Sequence, residues 1–358
     1  MDGILKVFVE GYQNYANYLW HEITHPSLHN YFYWLLLVSL FFLGIEWIRP
    51  WRADQPKFRK DFWLDAFYMF FNFFLFSLII YNAASDVVVD LFNDGIIALT
   101  GFDLQAANPM RNWPMWAILL TGFVVRDFVQ WLVHQLLHRS DRLWEFHKVH
   151  HSVEQMGFAA HLRFHWMETV VYRTIEYIPL ALLGIGLYDF FVIHIFALVI
   201  GHYNHSNISV SGYVSALVPG LLLGVVFAFG YFDVALFNPS GWLETTAIVL
   251  ITALATSVVL GPVMKYLFNS PEMHIWHHAY AFPEDRRYGM NFGLSLSIWD
   301  WLFGTAYVPH EGRDIKLGFP GMSDFPDHFA GQISYGLVQR GKPHPRLPDE
   351  AGEKAGMD

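Results

Sequence analysis

The stretch "LWEFHKVHH", Leu143 to His151, carries histidines at 147, 150 and 151 in the pattern H-x-x-H-H. "MHIWHH" repeats that pattern at His274, His277 and His278, and His134 and His138 stand four residues apart. On a helix, residues three and four apart are neighbours on one face, so each set can aim its imidazoles together. One metal ion takes about four to six ligands, so eight imidazoles suit two ions; imidazole suits zinc, copper, iron or nickel. The chain has no cysteine, which removes thiolate sites, disulfides and a cysteine nucleophile. Nitrogen and oxygen must hold any metal. The competing reading, surface histidines beside lipid headgroups, fits a single histidine well and two triplets plus a pair poorly.

Such spacings need helices, and the composition points to helices in a membrane. The 358 residues are 54% hydrophobic and 18% aromatic but only 15% charged, with a mean hydropathy of +0.28. Soluble chains carry roughly 25% charged residues. The net charge of −10 leaves no nucleic-acid footprint. No basic segment leads into an apolar core and a cleavage site at the start, so no signal peptide is expected. Apolar runs at 31–47, 62–84, 113–133, 215–232 and 242–261 approach the ~20 residues that cross a bilayer. A further run, 177–201, is interrupted by Pro179, Gly184, Gly186 and Asp189. It is expected to form a bent hairpin or two short helices that return to the side they left.

The expected fold class is all-α: a polytopic membrane helical bundle with a cytoplasmic histidine-rich di-metal cap. Residues 1–112 form an N-terminal region with two spans. Residues 113–305 form the catalytic region, and 306–358 a polar tail. The orientation follows from "RPWRADQPKFRK", residues 49–60, where Arg49, Arg52, Lys57, Arg59 and Lys60 mark a cytoplasmic linker. Counting spans onward brings every histidine set to that same side. An integral protein of a bacterial inner membrane or of the endoplasmic reticulum fits this layout.

Taken in order, "DFVQWLVHQLLHR" (127–139), "LWEFHKVHHS" (143–152), "RFHWME" (163–168), "HSN" (205–207), "SPEMHIWHH" (270–278), "YGMNFG" (288–293) and "WDWLFGT" (299–305) resemble the fatty acid hydroxylase/sterol desaturase superfamily of integral membrane di-iron oxygenases. The resemblance runs from about Asp127 to Thr305 and implies two iron ions, with O2 as cosubstrate. It implies hydroxylation, or alternatively desaturation, of a lipid such as a fatty acyl chain or a sterol. The metal ligands it implies are His134, His138, His147, His150, His151, His274, His277 and His278, with His205 as a ninth. His202, three before His205, and His165, in a place where the family has R-x-H-P, are further candidates for ligation or for support of a ligand. Trp166 stands where that proline is usual. Asp127, seven before His134, is placed to receive an imidazole N–H and fix its tautomer; a salt bridge to Arg126 is the alternative. Asp300 of "WDWLFGT" could orient a histidine, or the segment could be an aromatic interface anchor. Electrons would come from a separate donor of cytochrome b5, ferredoxin or reductase type, since the chain shows no flavin or nucleotide motif.

About fifty residues, 209–260, look inserted relative to the family pattern. They are expected to form a membrane hairpin that shapes lipid access or makes a contact between copies in a homo-oligomer. Gly220, Gly224 and Gly230 would allow close helix packing there. Two weaker readings come from other classes. "HEITH", His21 to His25, matches the H-E-x-x-H of zinc proteases, but Pro26 follows at once and no third-ligand pattern appears. A metal transporter could also place histidines at span ends.

Overall fold

A computed structural model of the chain describes residues 31–75, 112–183, 187–230 and 241–337, with parts of 13–26 and 91–110. Within these residues the secondary structure is helical, and the only β pairings are two isolated bridges, Phe268 with Leu296 and Ala279 with Leu317. Three helical stretches are long and apolar enough to cross a bilayer: Tyr31–Ile48, Met115–Arg139 and Trp242–Leu267.

Helix α1, Tyr31–Ile48, covers the first expected span. α2, Phe62–Phe70, runs on as a wider turn through Phe71–Leu75; the rest of that expected span, 76–84, lies outside the described residues. α3, Met115–Arg139, has 25 residues and passes straight into the histidine region. Ser140 alone separates it from α4, Asp141–His151. Its backbone is extended, which breaks the helix, and its side chain accepts from Leu143 N at 3.4 Å, capping the next one. This one-residue corner folds His147, His150 and His151 back towards His134 and His138.

The interrupted run forms two helices, α5 (Trp166–Leu182) and α6 (Leu187–His205). Both are longer than expected. α5 begins well before the apolar run and carries Pro179 inside it, and α6 continues through Asp189 to end on His205. α3 packs on α4, α5 and α6, and α1 packs on α6.

α7, Gly212–Gly230, and α8, Trp242–Leu260, form a helix pair within the segment expected to be an insertion. They pack on each other at backbone distance. A Cβ at Gly220 would lie 2.7 Å from Ala253 Cα, and one at Gly224 would lie 2.7 Å from Val249 Cα. The small-residue face is therefore consumed within the pair. On α8, Leu243, Ile251, Leu254, Val258 and Val259 remain exposed, as a lipid-facing surface requires.

α9, Met264–Leu267, leads to α10, Pro271–His277. Ser270 caps α10 by accepting from Met273 N, and Pro271 sits in the first turn, where its missing N–H costs nothing. α11, Ile298–Leu302, and α12, Phe329–Ser334, complete the cap. Phe319, Phe325 and Tyr335 pack with Trp144 and Val149 of α4. Much of the segment expected as a polar tail thus covers the histidine-bearing helix; residues 338–358 lie outside the described part.

Candidate metal centre

Nine buried imidazoles gather into two groups. His134, His138, His147, His151 and His277 form one, and His150, His205, His274 and His278 the other; within each, the potential ligand atoms lie within 4.8 Å of one another. None of the nine is more than 4% exposed. Each triplet is divided between the groups. His147 and His151 serve the first while His150 serves the second, and His274 and His278 serve the second while His277 serves the first.

The nitrogen chemistry of these rings fits a cation between them. His134 Nδ1 lies 2.8 Å from Phe292 O, and His277 Nδ1 lies 2.8 Å from Met290 O. His147 Nδ1 lies 2.7 Å from Glu168 Oε2, and His205 Nδ1 lies 2.9 Å from Gly201 O. Carbonyl oxygens only accept, as does the Glu168 carboxylate in its ionised form, so each Nδ1 carries the proton and each Nε2 presents a lone pair. Yet His134 Nε2 faces His147 Nε2 at 3.1 Å. Two lone pairs at that distance repel; a shared cation turns the contact into ligation. Nε2 atoms also approach one another in His138 with His151 at 3.2 Å, His150 with His205 at 3.3 Å, and His205 with His274 at 3.0 Å; in the last, Asn269 Nδ2 donates to His274 Nδ1 at 3.0 Å, so His274 Nε2 donates to His205 Nε2. His277 Nε2 is buried without a hydrogen-bond partner. Burial first, and the neighbouring imidazoles second, hold His150, His151, His274 and His278 well below the usual imidazole range. These rings stay neutral, the form a metal requires.

Two buried carboxylates build the loop that supplies the Met290 and Phe292 carbonyls. Asp300 Oδ1 accepts from Phe292 N at 2.9 Å, Trp131 Nε1 at 3.0 Å and Thr305 Oγ1 at 2.5 Å, while Oδ2 accepts from Gly293 N at 2.8 Å. Asp300 therefore orients His134 through Phe292 and not by touching it. Asp127 accepts from Ser295 N, Leu296 N and Trp299 Nε1 at 2.9–3.1 Å. It holds the same loop, in place of the expected imidazole N–H. Arg126 pairs with Glu176 and not with Asp127. Asn291, at φ 55°, ties the loop to Met273 O and Tyr307 O, 2.8 Å each.

His165 and His202 lie outside both groups. His165 stacks on Phe146 with ring centres 4.8 Å apart, and its backbone N donates to Glu168 Oε1 at 3.3 Å. His202 contacts Ser39 Oγ at 3.2 Å and His161 Nδ1 at 3.0 Å. His21 and His25 of "HEITH" stack on each other at 4.1 Å, outside both groups. Glu168 closes the segment "RFHWME" but is not among the residues expected at the site. The available signal was a carboxylate three residues after a histidine in an otherwise apolar stretch.

Comparison with known proteins adds to this geometry. The fatty acid hydroxylase family model matches residues 119–221 and 210–305, together more than half of the chain. The two matched segments overlap over residues 210–221, at the start of α7. An ornithine lipid hydroxylase, OlsE, of Rhizobium tropici is 28% identical over 210 residues, which cover 59% of this chain and 48% of that protein. The match thus spans about half the length of that relative. No solved structure matches the chain. Buried histidine groups at these positions, with the family match running through all nine, lead to one assignment: the chain belongs to the fatty acid hydroxylase family.

Proposed function

We propose that this protein is a membrane-bound di-iron oxygenase that hydroxylates a C–H bond of a lipid. The observation that carries the reading is the pair of buried imidazole groups whose ligand atoms converge within 4.8 Å, with the His134 and His147 Nε2 lone pairs facing each other at 3.1 Å. His134, His138, His147, His151 and His277 would hold one iron, and His150, His205, His274 and His278 the other. Bound iron supplies the oxidising power for O2 activation and aliphatic C–H cleavage, which no side chain has. The chain's own residues do the rest. Phe292 O, Met290 O and Glu168 keep each Nδ1 proton in place, so the lone pairs stay aimed inward. The buried, uncharged rings keep bulk water out.

The name of the relative from Rhizobium supports a polar membrane lipid as substrate. The electrons would come from a separate carrier protein. A cytoplasmic location of the cap is supported by the basic linker 49–60, whose Trp51 packs with Val153, Met156 and Ile275 beside the histidine helices. Metal analysis of the purified chain tests the centre. Two irons per chain are expected, and His150→Ala and His277→Ala should each lose metal and activity together. Full occupancy in both variants would sink the reading. Lipid profiling of cells with and without the gene should show a hydroxylated lipid that depends on it; a new double bond instead would point to desaturation.

A further inference from the structure

His205 is the ligand with the least local support. It belongs to no histidine triplet or pair, and it is the last residue of α6. Past that point the helix no longer dictates the course of the chain. Yet His205 is central to its group, with Nε2 3.3 Å from His150 Nε2 and 3.0 Å from His274 Nε2.

What fixes the chain just beyond His205 comes from the N-terminal region. Glu46, near the end of α1, accepts from Asn207 N at 2.7 Å and from Phe158 N at 2.8 Å, both on the single oxygen Oε1. The linker then grips Asn207 from three directions. Trp51 N donates to Asn207 O at 2.8 Å, Arg52 N donates to Asn207 Oδ1 at 2.9 Å, and Asn207 Nδ2 donates to Arg52 O at 3.2 Å. On the other side of His205, Ser39 of α1 contacts His202 at 3.2 Å. Residues 39–52 thus bracket His205 at three residues before it and two after. All of them precede residue 119, where the family match begins.

We infer that Glu46 is a positioning residue for the second metal ion: by holding the Asn207 and Phe158 amides it fixes the end of α6, and so the place of His205. The inference rests on the two-ion reading proposed above. It also predicts an asymmetry. The first group contains no residue from α6, so loosening this bracket should weaken the second ion and spare the first.

The test compares Glu46→Gln, Glu46→Ala and His205→Ala in the full-length protein, read by iron per chain, by chelator competition and by the spectroscopic signature of a coupled iron pair. Both amides use one oxygen, and glutamine retains a carbonyl oxygen in that place. E46Q should therefore keep two irons and the coupled signature. E46A should weaken the second iron by roughly 10- to 100-fold, the usual effect of losing a residue that orients a ligand. Its remaining single-iron spectrum should match that of H205A. Two tightly held irons in E46A with an unchanged signature would overturn the inference. So would loss of both irons together, which would mark Glu46 as a general fold contact. If E46A does not fold, Glu46→Leu, which keeps the side chain's bulk but offers the two amides no acceptor, takes its place; one tightly held iron is expected and two would overturn the inference. Fewer than two irons in the unaltered protein would instead refute the two-ion reading on which the inference stands.

Discussion

Replacing Glu168 with alanine tests how far the centre depends on a carboxylate that is outside both imidazole groups. Glu168 is 1% exposed. Its Oε2 accepts the His147 Nδ1 proton at 2.7 Å, and its Oε1 accepts from His165 N at 3.3 Å. Alanine removes both acceptors and leaves two donors in a dry site, at a cost of about 1–3 kcal/mol each. The His147 donor matters more for the metal. Once its acceptor is gone, the ring can exchange tautomer or turn, and its Nε2 lone pair no longer faces His134 Nε2. Loss of such a partner typically weakens metal binding 10- to 100-fold, or about 1.4–2.7 kcal/mol. Chelator competition should show that loss for one ion only, because His147 belongs to the first group and not the second. Glutamine at 168 should fall between, since its amide can accept from one of the two donors but turns its own N–H toward the other. Wild-type affinity for both ions in Glu168→Ala would refute the reasoning and mean that packing alone holds His147.

Asp300→Asn should retain the Oδ1 contacts and set an amide against Gly293 N; the donor–donor clash costs about 1–3 kcal/mol. Thermal unfolding should register it, together with weaker binding at the first group through Phe292 and His134. Gly224→Leu should force α7 and α8 apart, because a Cβ there already falls 2.7 Å from Val249 Cα. Iron content should survive that change while lipid selectivity or assembly shifts; equal loss of iron would tie the α7–α8 pair to the metal centre. A protease site placed after Thr305 should be cleaved only from the cytoplasmic side, and cleavage from the opposite side alone would reverse the topology.

The sequence by itself determined the chemistry on offer. It held no cysteine, a clear excess of apolar residues, and imidazoles at spacings that only a helix makes useful. All nine histidines now found together could be named from pattern and family resemblance, His205 included. Even the division of each triplet follows a local rule. In H-x-x-H-H, the first and last histidines differ by about 40° around the helix, and the middle one points some 60° the other way. The first and last therefore share a group and the middle one joins the other, in both triplets.

Only the tertiary structure decided which triplet's outer pair serves which group. That depends on how α4 and α10 face each other, and no local spacing contains it. The same is true of the groups that hold the ligands. Glu168 meets His147 across 21 residues, Asp300 meets Trp131 across 169, and Glu46 meets Asn207 across 161. A buried carboxylate looks the same in sequence whether it binds metal, pairs with arginine or accepts backbone amides. Its donors become visible only when the chain has folded and brought them within reach.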